Sequence, residues 1–590
     1  MAIRVGSRNS AKHQLAEATP DTVPLPSLPG LTRQPALQRS GLGAGSSPAK
    51  TVTLGTTVDL LAGWNKTLGM MAAALVALSP LAPAQAEQKP LRAVMNIELQ
   101  VLDPHTTTAT VTRAFGYMVY DTLIAMDSKG EFRPQMLEGW KPSDDRLTWT
   151  FTLRPGLTWH DGTAVTAEDC VASLRRWATI DGFGKRLMAA TQDLRVIDAS
   201  TFELKLSRPF AFVVEAIGKP NANLPIMMPA RMAANPASKA NTEVMGSGPF
   251  TFRRDEWRPG DRAIFRRNAA YKPRAEPADG LAGGKVVYLD TVEMVSMPDP
   301  ATKVAALQTG GIDYLEILPI DFVAMMRKDP KITVIRQPPM AQITGGMSVN
   351  NITPPFNDVR IRRALQMALD QSEIMAGFGL PEDMYLPFCQ SVFLCGGPYG
   401  SAVGTDFLRE PSPEKAKAML KGAGYKGEKV VLLHSTDSAM INPISLVVID
   451  QIKRAGFNLD VSTSDYSSQA QRRMRKDSSD KGGWNLMPVV WSGYDMINPL
   501  SHYATAYSCG GTYPGWNCDP AMPDLVARFE VEADPIKRQE LAREMQIRVL
   551  DQAPQMFLGQ FAPPTAYRSN LKGVLQNGMH VFWNIQREGG

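Results

Sequence analysis

One stretch restricts the fold of this 590-residue chain more than any other, and it lies between Gly346 and Asp370. Met347 to Val349 is a short strand-like run. Thr353-Pro354-Pro355 stops it, because each proline fixes φ and lacks an N–H, so neither a helix interior nor a central ladder passes through. Asn357 or Asp358 then stands in position to cap a helix. Behind that cap Ile361, Leu365 and Leu369, with Ala364 and Ala368 beside them, fall on one face at spacings of three and four. Strand, break and capped helix in that order predict entry into a new lobe of a mixed α/β protein.

The flanking sequence extends the pattern. Leu91 to Ile97 reads as a first strand. Thr291 to Met297, Pro300 to Thr309 and Ile312 to Ile317 read as strand, helix and strand. Val430 to Leu433, Pro443 to Ala455 and Phe457 to Val461 repeat the order. Such units call for parallel strands with a right-handed crossover. The region after Asp121 differs. Leu147 to Leu153 alternates apolar and polar side chains without a break, Arg154-Pro155-Gly156 turns it, and Thr201 to Leu206 alternates again, as half-buried strands do. Thr166 and Asp169 have the spacing of a capping box opening a helix to about Trp177.

With 44% apolar residues the chain can bury more than one core. Its net charge of +5 is concentrated early: seven of the 63 Lys and Arg, but three of the 58 Asp and Glu, precede residue 87. The rest is near neutral, which leaves no basic stripe for nucleic acid. Residues 1–65 are rich in Ser, Gly, Pro, Thr and Ala without a sustained period and read as disordered. Lys66, the apolar run from Leu68 to Leu78 and the small-residue end at Ala84-Gln85-Ala86 have the parts of a secretory signal peptide cleaved after Ala86. The run falls short of the ~20 residues of a membrane span.

Export permits disulfides. Cys389 and Cys395 are six residues apart, Cys509 and Cys518 nine, and Cys170 stands alone, so two local loops with a free Cys170 is the simplest pairing. A zinc site would want a C-x-x-C spacing that is absent. Gly283-Gly284-Lys285 fails as a phosphate loop, because Val286 follows where Ser or Thr is needed. No two of the six histidines lie four apart, and there is no G-x-S-x-G elbow. His160 sits in a turn and reads as structural.

Several of these stretches together resemble one family. Asn350, Pro354-Pro355-Phe356, Asp358, Arg360, Arg362 and Ala364-Leu365 match a long ordered signature of the extracytoplasmic solute-binding proteins of peptide-type ABC importers (family 5, dipeptide, oligopeptide and nickel-binding). Leu102-Asp103-Pro104-His105, the Trp159-to-Asp169 string, Gly246 to Phe250, Ser412 to Tyr425, Trp491-Ser492-Gly493 and Asp551 to Pro554 match it too.

The resemblance implies a two-lobed periplasmic-binding-protein-like α/β fold (type II, cluster C). Residues 1–86 would be leader, 87–345 the first lobe with an extra β-rich subdomain at 121–245, 346–561 the second lobe, and 562–590 the return to the first. It implies a periplasmic, monomeric, non-enzymatic protein with no cofactor or metal. Such a protein captures a peptide or other small solute by hinge closure and delivers it to ABC permease subunits. A secreted hydrolase would need a nucleophile–base pair or a metal cluster; a solute-presenting or chaperone role is left open. The ligand would meet His105 and Thr106 and the run Trp491, Ser492, Gly493, Tyr494 and Asp495. Trp491 reads equally as a core aromatic. In dipeptide-type members an acid directly after W-[ST]-G pairs with the ligand ammonium; here Tyr494 intervenes before Asp495. Ser435 to Asn442 contains no Arg for a ligand carboxylate. The combination points to an extended solute with uncharged ends, held through backbone near Gly493 and the wall of Trp491.

Overall fold

The computed structural model describes residues 89–588 except 510 and 512. The leader and the cleavage point after Ala86 lie outside the described residues.

Two large sheets organise the chain. The first has seven strands, in the order Phe250–Phe252, Arg262–Arg267, Thr291–Val295, Leu91–Val94, Tyr314–Leu315, Thr565–Arg568 and Ile332–Ile335. The helix Pro300–Thr309 connects two of them; Asp299 caps it by accepting from the Thr302 amide at 2.7 Å, and Gly310, at φ 81°, ends it. The strands before and after this helix run parallel but do not touch, because Leu91–Val94 is inserted between them and pairs with both. The C-terminal residues close the structure over this strand: Arg587 pairs with Asp313 at 3.1 Å and donates to the Pro90 carbonyl at 3.3 Å.

The second sheet has six strands, in the order Tyr385–Leu386, Gln555–Phe561, Ile343–Val349, Leu486–Ser492, Val430–Ser435 and Leu459–Ser464. Its last two strands are direct parallel partners joined by the helix Ile441–Arg454. The chain passes from the first sheet to the second between Ile335 and Ile343 and returns between Phe561 and Thr565. Gly345, taken from sequence as the end of the first lobe, lies inside the strand Ile343–Val349. The helix after the double proline is Val359–Ala368, with the Asp358 carboxylate accepting from the Arg360 amide at 2.8 Å. Arg362 behind it donates to the carbonyls of Phe356 at 2.7 Å and Gln552 at 2.9 Å, and Arg363 pairs with Asp551. The 350–365 signature and the Asp551-to-Pro554 segment are thus two halves of one structural joint.

Between Asp121 and Met245 lies a smaller sheet of four antiparallel strands, Leu137–Pro142, Thr148–Leu153, Thr201–Leu206 and Thr191–Val196. Phe151 and Phe202 stack across it with centroids 5.0 Å apart. The helix Ala167–Ala178 covers it, opened by the reciprocal Thr166–Asp169 capping box and carrying the buried Cys170 and Trp177.

Candidate functional site

Strand Leu486–Ser492 ends in the short helix Gly493–Met496, and every residue from Trp491 to Asp495 is engaged within the protein. Trp491 is buried and donates from Nε1 to the Tyr513 hydroxyl at 2.8 Å. Its ring lies against Gly346 so closely that a Cβ there would overlap it. Ser492 pairs with Ile343 in the ladder. Gly493 donates to the Gln342 carbonyl at 2.7 Å, and a Cβ on it would meet the carbonyls of Gln342 at 2.7 Å and Met340 at 2.8 Å. The close approach that requires glycine here is made by the crossing segment of the chain itself. Tyr494 donates its hydroxyl to the Asn577 carbonyl. Asp495 accepts from Arg113 Nη2 at 3.3 Å and from the Ala222 amide at 3.1 Å, both from outside the segment that builds the second sheet.

His105 and Thr106 are also engaged within the protein. Arg176 grips Asp103 through both terminal nitrogens, at 2.7 and 3.2 Å, and also donates to His105 Nδ1 at 3.0 Å. The imidazole must then carry its proton on Nε2, which faces the Ile226 carbonyl at 3.0 Å. Burial pulls this ring down to about 4, so it stays neutral. With both nitrogens engaged and no exposed surface, His105 orients the Asp103–Arg176 pair. The Thr106 hydroxyl donates to the Asp103 carbonyl at 3.0 Å and closes the same turn.

An aromatic cluster lies beside the turn. Tyr503 and Tyr513 stack at 4.2 Å between centroids, with Trp491 at 5.8 Å and Tyr507 at 6.0 Å from Tyr503. Tyr513 lies within the loop closed by the disulfide Cys509–Cys518; a second disulfide joins Cys389 to Cys395, and Cys170 is free, buried and pushed up in pKa by desolvation.

Next to this cluster a cavity of about 580 Å³ opens between the four-stranded subdomain and the second lobe. Trp149, Phe183, Tyr399 and Tyr494 form apolar walls, and Lys219 and Asn221 supply polar atoms. Lys219 pairs with Asp181 at 2.7 Å. Asn221 Oδ1 is buried without a hydrogen-bond partner. Glu215 and Arg538 face each other at 3.8 Å from opposite sides, and burial raises the Glu215 carboxyl. A second groove of about 660 Å³ runs between the first sheet and residues 437–441, with Met95, Met294, Met297 and Met440 in its lining. Among the described residues no cluster of three or more His, Cys, Asp and Glu could hold a metal ion. Sequence reading missed Arg113, Lys219, Asn221, Glu215 and Arg538. Arg538 follows Ala533-Asp534 in the stretch that resembles the family, but without a role; no local motif marks the other four, and they meet only when distant segments fold together.

Two sheets, two crossings and a groove lined from both sheets are the arrangement of a hinged binding protein. Residues 131–514 match the family described as bacterial extracellular solute-binding proteins, family 5 Middle. The chain belongs to this family. A probable peptide ABC transporter periplasmic-binding protein of Sinorhizobium fredii is 36% identical over 528 residues, covering 88% of this chain and 98% of that protein. Among solved structures, this family 5 protein superposes on a periplasmic binding protein from Helicobacter pylori in complex with peptide STSA, with a TM-score of 0.71 and 19% identity over 85% of this chain and 98% of that one. It superposes equally on a binding protein of A. tumefaciens R10 in complex with agropinic acid, with a TM-score of 0.70 and 22% identity over 85% and 99% of the two chains. These two likenesses establish the fold.

Proposed function

We propose that this family 5 protein is the periplasmic receptor of an ABC importer and carries a peptide or peptide-like solute. The observation that carries the reading is the aromatic-walled cavity beside the Trp491–Asp495 turn, in a chain 36% identical to a probable peptide transporter component. Residues 89–335 and 565–588 act as one lobe and 343–561 as the other. The solute lies against Tyr494 and the Trp149 and Tyr399 walls, with Trp491, Ser492, Gly493 and Asp495 supporting the turn from behind. Contacts to both lobes favour the closed state over the open one, and that differential affinity drives closure. The protein works as a monomer, docks on permease subunits and leaves its cargo chemically unchanged.

Native mass spectrometry of the protein from its own periplasm tests this in one measurement. The polypeptide should begin at Glu87 and carry a peptide-like adduct that is released intact. Recovery of residues 1–65, or a bound solute with no amide backbone, would refute the corresponding part; conversion of added peptide would restore the hydrolase reading.

A further inference from the structure

Arg113 is the least satisfied charge in the described molecule. Its side chain is only 4% exposed. Nη2 donates to the Thr108 carbonyl at 2.9 Å and to Asp495 Oδ2 at 3.3 Å. Nε and Nη1 are buried and have no partner. A guanidinium has five N–H donors, so three are left unmatched, and a buried donor without an acceptor is strongly unfavourable.

The position of this charge matters as much as its deficit. Arg113 lies on the first-lobe helix Thr110–Val119, and Asp495 on the turn after the second-sheet strand Leu486–Ser492. The two groups that hold the Asp495 carboxylate, Arg113 and the Ala222 amide, thus come from outside the second lobe. Asp495 and Ala222 are the chain neighbours of Tyr494 and Asn221, which line the 580 Å³ cavity. A hinge opening that parted the two lobes would separate this helix from the turn.

Nearby charges are otherwise matched. Lys219 pairs with Asp181, and both Arg113 and Asp495 act on Lys219 electrostatically. Two cations and two carboxylates balance, but Asp495 meets Arg113 with one oxygen through one nitrogen and gives the other to a backbone amide. The donors left over require an acceptor from elsewhere, and a planar carboxylate is the group that a guanidinium binds best.

We infer that Arg113 receives a carboxylate of the transported solute, while Asp495 holds the guanidinium in place instead of binding the solute's ammonium. This rests on the peptide-type reading above and narrows it: the cargo carries a free carboxylate, and the Arg that is absent from Ser435 to Asn442 is supplied by the opposite lobe. It replaces the uncharged-ended solute expected from sequence.

The test uses a tetrapeptide pool of mixed sequence in three forms: free acid, C-terminal amide and N-acetylated acid. Binding of each is measured by competition in native mass spectrometry. Wild-type protein should prefer the acid over the amide by about tenfold or more, as a hydrogen bond to a charged group implies. Arg113→Gln should lose the preference for the acid, binding acid and amide alike. Asp495→Asn keeps Arg113 but loosens its hold, and should reduce the acid preference without removing it while treating free and acetylated N-termini as wild-type protein does. Equal binding of acid and amide by wild-type protein would overturn the Arg113 assignment alone. A loss of N-terminal discrimination in Asp495→Asn, where wild-type protein shows it, would assign Asp495 to the ammonium and also overturn it. Failure of all three pools would overturn both this inference and the peptide reading. Should Arg113→Gln fold poorly, Arg113→Lys keeps the charge without the fork and should reduce the acid preference.

Discussion

The pair Gly346 and Trp491 allows a quantitative test of what the tryptophan does. Gly346 has no positive φ and sits in a strand, so its backbone would accept alanine. Space is the obstacle: an added Cβ would overlap Trp491 Cζ3 and Cη2. The ring has little freedom to move away, being tied to Tyr513 at 2.8 Å and packed on Tyr503 and Phe557. Gly346→Ala should therefore destabilise by about 1–3 kcal/mol, as overpacking does. Trp491→Ala should cost about 3–5 kcal/mol, the range for a large aromatic removed from a core. In the double variant the new methyl occupies vacated space, so the total should not exceed that of Trp491→Ala alone. The coupling of about 1–3 kcal/mol is read from urea unfolding followed by circular dichroism at matched m-values. Additive losses would show that the ring and the glycine do not constrain each other. Trp491→Ala unfolding at the wild-type urea concentration while losing affinity for the co-purified solute would make Trp491 a cleft wall, and the packing account would fail.

Two further outcomes follow from burial. His105 and His502 ionise in the unfolded chain near 6.5, but burial holds them at about 4 and about 3 in the fold. The unfolded state therefore takes up more protons below that ordinary value, and the contribution of these rings is complete above pH 6.5 and falls as pH drops toward 4. Urea midpoints measured from about pH 7.5 to 5 should decline, less steeply in His502→Asn; an identical slope in that variant would remove His502 from the explanation. Non-reducing peptide maps should link Cys389 to Cys395 and Cys509 to Cys518, each contributing on the order of 2–3 kcal/mol. Cys170, whose thiol is desolvated, should resist iodoacetamide until the protein is denatured; rapid native labelling would contradict its placement.

Local chemistry made much of the fold legible. The Thr166–Asp169 capping box, the Asp358 cap after the double proline and the helix Pro300–Thr309 between parallel strands all follow from short-range rules. The insertion of Leu91–Val94 between the strands flanking that helix does not, because no rule acting within a few residues reports a partner 221 positions away. The candidate site was less legible for the same reason. Trp491 to Asp495 could be singled out as an aromatic-glycine run, but its engagement with Gln342, Asn577 and Arg113 is set by tertiary folding. Arg113, 382 residues from Asp495, sits in a helix buried from Val111 to Val119 and carries no signature.

The strand order also fixes a sequence of assembly events. Every strand of the second sheet falls within Ile343–Phe561, so that half is complete as soon as one continuous segment exists. The first sheet cannot be: Leu91–Val94, the earliest of its strands along the chain, needs neighbours at 291–295 and 314–315, and Thr565–Arg568 must still be laid between Tyr314–Leu315 and Ile332–Ile335. Its pairings are long-range and slow to form. The first sheet therefore stays open between Tyr314–Leu315 and Ile332–Ile335 until the segment beyond Phe561 is available, whereas the four-stranded sheet within 137–206 needs no partner from outside its own segment.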